Sequence, residues 1–211
     1  LIEFILVIGI IKFLIKPIYY SWFENELYAG TSVGLTIAVT LLISIYYVAL
    51  KPKNLGWKEV GLVKPNSPTI KLIFWLSLVV IVGSSMIMVC TSFIGNTVEN
   101  EKVQSIQQDI NAFTILISFV SAVIISPIYE EIFYRGFIYR WLRTRISMRW
   151  AVVINSFIFT IAHIPTYNVM PINFFSGIIF ALAYERTNSI WPAIIVHALT
   201  NAVWLLLTLI L

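Results

Sequence analysis

Seven long apolar stretches limit the folds that are open to this chain of 211 residues. Hydrophobic side chains make up 59% of the chain and charged ones 11%, which is more apolar surface than a soluble domain of this size can bury. Each stretch is about 17–28 residues long, enough to span or nearly span a bilayer. The stretches cover residues 2–20, 28–50, 70–95, 112–139, 150–166, 170–186 and 190–211. The sequence therefore predicts an all-α, polytopic bundle of about seven membrane helices.

The segments between these stretches differ in charge, which predicts how the chain is oriented. Residues 51–71 contain five lysines and one glutamate, and residues 140–149 contain four arginines and no acid. Because cytoplasmic loops are rich in Lys and Arg, we expect both segments on the cytoplasmic side. The other connections carry the acids Glu24, Glu26, Glu99, Glu101 and Asp109. The net charge of +4 belongs to this asymmetry and does not indicate a nucleic-acid partner.

The composition also bears on location. The first apolar stretch lacks a basic leader and a small-residue cleavage site, so we interpret it as a membrane anchor that is retained. Few charges, many Ile and Lys residues and no targeting signal favour a bacterial plasma membrane. We therefore expect a multi-pass protein of the cell membrane, with the lipid bilayer as one of its partners.

Two connecting segments have patterns of their own. Apolar residues at helical spacing predict a short amphipathic helix on the outer surface. These residues are Val103, Ile106, Ile110 and Phe113. Residues 55–62 place Trp57 among small residues, which predicts an interfacial segment at the inner face.

Small residues four positions apart predict where helices approach one another closely. Such patterns are common by chance, and they indicate packing rather than function. They occur at Gly30/Gly34/Ala38 and at Gly177/Ala181.

Two adjacent acids, Glu130 and Glu131, interrupt the fourth apolar stretch. Ionisable groups at membrane depth are costly, so their presence favours a function. Glu131 and Arg135 share a helix face and can form an ion pair, which is equally compatible with a purely architectural role. Glu130 points about 100° away, on the face of Tyr134. Pro127 removes a backbone hydrogen bond just before the pair, which fits a site that admits water.

The chain has two histidines, His163 and His197, and both lie in apolar stretches. His197 and Asn201 are four residues apart and share a helix face. A polar side chain in lipid needs a partner or a cavity. We therefore expect His163, His197 and Asn201 to converge with Glu130 on one interior point below the cytoplasmic interface. Asn155 and Asn173 are further candidates for lining this site.

These residues form three motifs in chain order. They are Glu130-Glu131-Ile132-Phe133-Tyr134-Arg135, Phe159-Thr160-Ile161-Ala162-His163 and His197-Ala198-Leu199-Thr200-Asn201. The ordered set resembles the CPBP family of intramembrane proteases, which includes CAAX-processing enzymes and the bacteriocin-processing or self-immunity proteins also called Abi. The resemblance covers about residues 55–211, which we expect to form the protease domain. Residues 1–54 carry no motif, and we expect membrane helices there.

The resemblance implies proteolysis within the membrane by a glutamic endopeptidase. In that mechanism Glu130 and His163 activate a water molecule, whereas His197 and Asn201 stabilise the oxyanion. Glu131 and Arg135 support the site. No cofactor is implied, but Glu130, His163 and His197 would also make a plausible set of three zinc ligands, so a metalloprotease stays open as the alternative.

The partner that this activity requires is a peptide or protein substrate at the membrane. The inferred bacterial source favours a bacteriocin, pheromone or signalling-peptide precursor over a prenylated CAAX protein.

Two other functions stay open. One is a non-catalytic scaffold or self-immunity protein that binds a membrane-protein partner, against which the intact motifs count. The other is a small transporter or proton relay, for which intramembrane Glu and His are equally apt, although the sequence lacks repeat symmetry.

Overall fold

A computed structural model describes residues 2–65, 69–93, 95, 101–108 and 110–210. All regular elements within these residues are helical. We label the helices α1 (2–22), α2 (Glu26–Lys53), α3 (Ile70–Ser92), α4 (Glu101–Gln108), α5 (Ala112–Arg143), α6 (Met148–Ala162), α7 (Tyr167–Thr187) and α8 (Trp191–Ile210). The predicted all-α bundle is confirmed.

Seven of these helices coincide with the seven apolar stretches. Among the described residues, α2, α3, α5, α7 and α8 are long and apolar enough to cross a membrane, and α6 is a shorter apolar helix. The chain is therefore a multi-pass membrane protein. The predicted ends differ from the observed ones by a few residues: α6 ends at Ala162 rather than at residue 166, because a turn carrying His163 and Pro165 follows it.

Local sequence signals fix several helix ends. The side chain of Asn25 accepts hydrogen bonds from the first backbone N–H groups of α2, and Asn111 forms a capping box with Thr114 at the start of α5. Asn188 ends α7 in the left-handed conformation, which Asn tolerates better than most residues. Polar residues in the connections thus satisfy the backbone groups that helix ends leave free.

The predicted amphipathic helix is present as α4, but it is shorter than the pattern suggested. Ile106 is buried in a small apolar cluster with Leu27, Val123 and Leu205, so α4 packs on α2, α5 and α8. Ile110 and Phe113 lie beyond the end of α4 and are exposed. The acids Glu99 and Asp109 fall outside the described residues.

The segment before α3 packs against α5. Its short helical turn, Trp57–Val60, lies so close to α5 that a Cβ atom at Gly136 would come within 2.9 Å of the Cβ of Val60. Arg140 donates to the Glu59 carboxylate at 2.9 Å. The two basic segments of the sequence therefore lie at the same end of the bundle. This placement agrees with the expectation that both lie on the same side of the membrane.

The two small-residue patterns have different roles. At Gly177 an added Cβ would lie 3.1 Å from the Cβ of Ser156, so this glycine lets α7 approach α6 closely, as predicted. At Gly34 an added Cβ would meet nothing within 4 Å. Gly30 and Gly34 both line a cavity of about 460 Å³ between α1, α2 and α5. An added Cβ at Gly30 would lie 3.5 Å from Oη of Tyr20 on α1, so of these two glycines only Gly30 lies at a helix contact.

Helix α5 changes its winding around the acid pair. Wide π-helical turns at Val120–Ile125 and Ile132–Tyr139 flank the α-helical segment Ser126–Glu131. Such turns occur frequently at functional sites. The altered winding sets the direction in which Glu130 and Glu131 leave the helix.

Candidate active site

A cavity of about 260 Å³ lies between α4, α5, α6, α7 and α8. Polar side chains from three of these helices, α5, α7 and α8, and from the turn after α6 line it. They are Ser126, Glu130, His163, Asn173, Ser176, His197, Thr200, Asn201 and Thr208. The structure therefore brings Glu130, His163, His197 and Asn201 to one interior cavity, as the sequence predicts.

Glu130 has one bound and one unbound oxygen atom. Its side chain is buried, and Oε1 accepts a hydrogen bond from the hydroxyl group of Ser126, one turn earlier on α5. Among the described residues Oε2 has no hydrogen-bond partner. A buried acceptor without a partner is costly, and such an atom marks a place where a polar group is to be bound.

Glu131 connects two helices through a single oxygen atom. Its Oε1 accepts from Nη1 of Arg135 at 2.8 Å and from Nδ1 of His197, also at 2.8 Å. The expected ion pair with Arg135 is therefore present, and the contact with His197 was not predicted. Nη2 of Arg135 donates to the carbonyl oxygen of Gly177 at 3.0 Å. The ion pair thus ties α5 to both α7 and α8.

The hydrogen bonds of the two histidines determine which ring nitrogen faces the cavity. Nδ1 of His163 lies 2.8 Å from the carbonyl oxygen of Phe159, and a carbonyl oxygen can only accept. Nδ1 of His197 lies against the Glu131 carboxylate, which also accepts. Both Nδ1 atoms therefore carry protons, and in a neutral ring Nε2 is left as the acceptor.

Asn201 replaces a donor that the backbone of α5 lacks. In the π-helical turns before Pro127 each N–H donates to the carbonyl five residues earlier, as Ser126 does to Ser121. Pro127 has no N–H, so the carbonyl of Ala122 would have no partner. Nδ2 of Asn201 donates to that carbonyl at 2.8 Å. The amide keeps a second hydrogen and its own oxygen for other partners.

Aromatic rings hold the charged groups in place. The ring of Phe180 stacks on His197 with 4.5 Å between centroids, and Phe159 lies 4.7 Å from His163. The guanidinium group of Arg135 lies over Phe159 and Phe180, at 4.6 and 5.2 Å from their centroids. These rings shield the ion pair from water and restrict both imidazoles.

The two further asparagines differ in role. Nδ2 of Asn155 donates to the carbonyl oxygen of Tyr134 at 2.8 Å, and Asn155 does not line the cavity. It satisfies a backbone group in the wide turn of α5. Asn173 does line the cavity, and its Nδ2 is buried without a partner among the described residues.

Sequence reasoning missed several residues of this site, of which Ser126 and Phe180 contact the predicted residues directly. Ser126 lies four residues before Glu130, so helical spacing alone could have found it. Phe180 lies on α7 and contacts His197 from another helix. The sequence carries no signal for that contact, because it depends on how α7 and α8 pack.

The zinc alternative requires three ligands close to one point. Within the described part of the chain, no group of three or more His, Cys, Asp and Glu side chains is arranged to hold a metal ion. Glu130, His163 and His197 all line the cavity, but as placed they do not form such a group.

Residues 112–203 match a family model described as Type II CAAX prenyl endopeptidase Rce1-like. This part of the chain is therefore similar to the Rce1-like proteins. The match contains all three motifs, from Glu130 to Asn201. It confirms the resemblance to the CAAX-processing proteases that the motifs indicated.

A curated protein is similar to part of the chain as well. It is a protein of Bacillus subtilis (strain 168) named "Putative membrane peptidase YdiL", 33% identical over 103 residues. The match covers 49% of this chain and 41% of the relative, so the two are similar over less than half the length of either. No solved structure matches the chain. The predicted domain boundary at residue 55 is not tested by these matches, and residues 1–111 lie outside the Rce1-like segment.

Proposed function

We propose that the chain is an intramembrane endopeptidase of the glutamic type, which hydrolyses a peptide bond inside the cavity between α5, α6, α7 and α8. The observation that carries the proposal is the buried, unpartnered Oε2 of Glu130, in a cavity that also contains His163, His197 and Asn201. The Rce1-like family and the curated relative, named a membrane peptidase, support a protease.

Glu130 and His163 activate the water in this mechanism. Oε2 of Glu130 takes a proton from water while the water oxygen bonds to the substrate carbonyl carbon. Nδ1 of His163 is bound to the carbonyl of Phe159, so Nε2 is free. Nε2 accepts a hydrogen bond from the other O–H of the water and thereby orients it. Glu130 then gives its proton to the leaving amine nitrogen, and the C–N bond breaks.

His197 and Asn201 stabilise the negative charge on the carbonyl oxygen. Asn201 has a second amide hydrogen to donate, and His197 donates from Nε2 when both ring nitrogens carry protons. Donors fixed in a dry cavity are worth more than in water, because no reorganisation is needed as the charge develops. Glu131 and Arg135 hold His197 at the cavity wall.

The substrate in this proposal is a membrane-proximal segment or a peptide precursor. A cavity of about 260 Å³ accommodates a few residues of an extended peptide and not a folded domain. The site opens to the cytoplasmic side of a bacterial plasma membrane in this proposal, which follows from the basic segments 51–71 and 140–149.

The test uses the purified full chain with a quenched fluorescent peptide library in detergent or in vesicles. Glu130→Gln preserves shape and removes the base, so we expect cleavage to fall about 100- to 10,000-fold. His163→Ala is expected to lose cleavage to a similar degree. Proteolysis that survives Glu130→Ala contradicts the mechanism, and full cellular function of a variant without cleavage would favour a scaffold or self-immunity role.

A further inference from the structure

Lys12, on the N-terminal helix, reaches the turn that carries His163. Its Nζ donates to the carbonyl oxygen of Ala162 at 2.7 Å and to that of Ile164 at 3.1 Å. These are the two residues on either side of His163. Lys12 lies outside the Rce1-like segment 112–203, and no motif of the sequence includes it.

The two carbonyls that Lys12 binds are those that the turn itself does not use. A helix leaves its last carbonyl groups without partners inside the helix. The carbonyls of Thr160, Ile161, His163 and Pro165 accept from the backbone N–H groups of His163, Ile164, Thr166 and Tyr167, in that order. The carbonyl of Phe159 accepts from the His163 ring. Lys12 therefore completes the hydrogen bonding of the turn.

The N-terminal helix is held in the bundle by other contacts. The ring of Phe4 lies 4.9 Å from that of Phe137 and 5.4 Å from that of Phe133, both on α5. Phe4 is buried in the main apolar core. The position of α1 thus does not depend on Lys12 alone, and a change at Lys12 acts on the turn rather than on the attachment of the helix.

We propose that Lys12 is a positioning residue, which fixes the turn 162–164 so that Nε2 of His163 faces Glu130. The proposal rests on the proposed proteolysis. A positive charge at the C-terminal end of α6 is also favourable to the helix dipole. The first helix is in this way a functional part of the site, although its sequence carries no catalytic motif.

The activity test compares Lys12→Met, Lys12→Arg and the control Phe13→Ala. Lys12→Met removes the donor, and we expect kcat to fall about 10- to 100-fold with KM within about twofold, because the misplaced group acts in the reaction and not in binding. Lys12→Arg keeps charge and donors and is expected to recover most of kcat. Phe13 is the next residue and is 81% exposed, so Phe13→Ala is expected to leave kcat unchanged.

A spectroscopic readout does not depend on substrate. The chain has only two histidines, so the ring nitrogens of ¹⁵N-histidine give two sets of signals. We expect Lys12→Met to shift the signals of His163 and to leave those of His197, which is bound to Glu131, in place. Wild-type kcat together with unshifted His163 signals in Lys12→Met would overturn the proposal, as would a Lys12→Arg variant no more active than Lys12→Met.

The His197 signals also report whether each variant is folded. If Lys12→Met does not fold, Lys12→Gln takes its place, since its shorter amide cannot bind both carbonyls. Wild-type kcat and His163 signals in that variant would again contradict the proposal. Glu130→Gln in the same assay separates the proteolytic mechanism from the role of Lys12. A fully active Glu130→Gln would contradict the proteolytic mechanism. An inactive Glu130→Gln together with a fully active Lys12→Met would contradict only the role of Lys12.

Discussion

Oε1 of Glu131 lies 2.8 Å from Nδ1 of His197 and at the same distance from Nη1 of Arg135. All three side chains are buried. One carboxylate oxygen therefore carries both the ion pair within α5 and the contact that orients the imidazole on α8. Oε2 of each acid has no hydrogen-bond partner among the described residues, but of the two acids only Glu130 lines the cavity.

Removing the charge of Glu131 is expected to destabilise the fold. Glu131→Gln leaves the guanidinium group of Arg135 buried without a counter-charge, which costs about 3–5 kcal/mol. Unfolding by denaturant in detergent micelles measures this change. The control is Glu59→Gln, which breaks the pair with Arg140, where both side chains are 45% exposed, and is expected to cost about 0–1 kcal/mol. An equal loss of unfolding free energy in the two variants would show that the buried ion pair stabilises the fold no more than the exposed one.

The hydroxyl group of Ser126 is expected to affect the reaction more than the stability. Ser126→Ala removes the donor to Oε1 of Glu130, and a hydrogen bond to a charged group is worth about 1.5–3 kcal/mol, or roughly 10- to 100-fold in kcat. The measurement is the rate of peptide cleavage by the purified variant. Ser85 on α3 donates to its own helix at the Ile81 carbonyl and does not line the cavity, so Ser85→Ala should cleave at the wild-type rate. A fully active Ser126→Ala would show that the Glu130 carboxylate does not need this donor.

The glycine at position 136 is expected to be irreplaceable for close packing. In Gly136→Ala the new Cβ would lie 2.9 Å from the Cβ of Val60, so the turn Trp57–Val60 must move. Overpacking of this kind costs about 1–3 kcal/mol, measurable as a lower melting temperature in detergent. Gly34→Ala adds the same methyl group where nothing lies within 4 Å and should be neutral or slightly stabilising. A destabilised Gly34→Ala beside an unchanged Gly136→Ala would contradict this packing.

Metal removal is expected to leave the activity intact. The described donors do not form a three-ligand metal site, and the proposed base is a carboxylate rather than a metal-bound hydroxide. Dialysis of the purified protein against a chelator should therefore not change kcat. Loss of cleavage on chelation, with recovery on adding zinc, would replace the glutamic mechanism by a metalloprotease one.

Local spacing explains why much of the site was predictable. The Glu131–Arg135 pair and the shared face of His197 and Asn201 follow from residues four positions apart on a helix. The convergence of Glu130, His163 and His197 follows from the cost of polar groups in lipid. Neither spacing nor polarity predicts the contact between Glu131 and His197, because that contact joins two helices and depends on how they pack.

The sequence by itself determined that the chain is a helical membrane protein in which Glu130 and the two histidines converge, since apolar length and the cost of polar groups in lipid are properties of the residues. Only the tertiary structure decided which partner each group takes. It placed Phe180 on His197, Asn201 on the carbonyl freed by Pro127, and Lys12 on the turn of His163. Each contact joins residues that are distant along the chain, and packing between helices, which no local pattern encodes, brings them within a few ångströms.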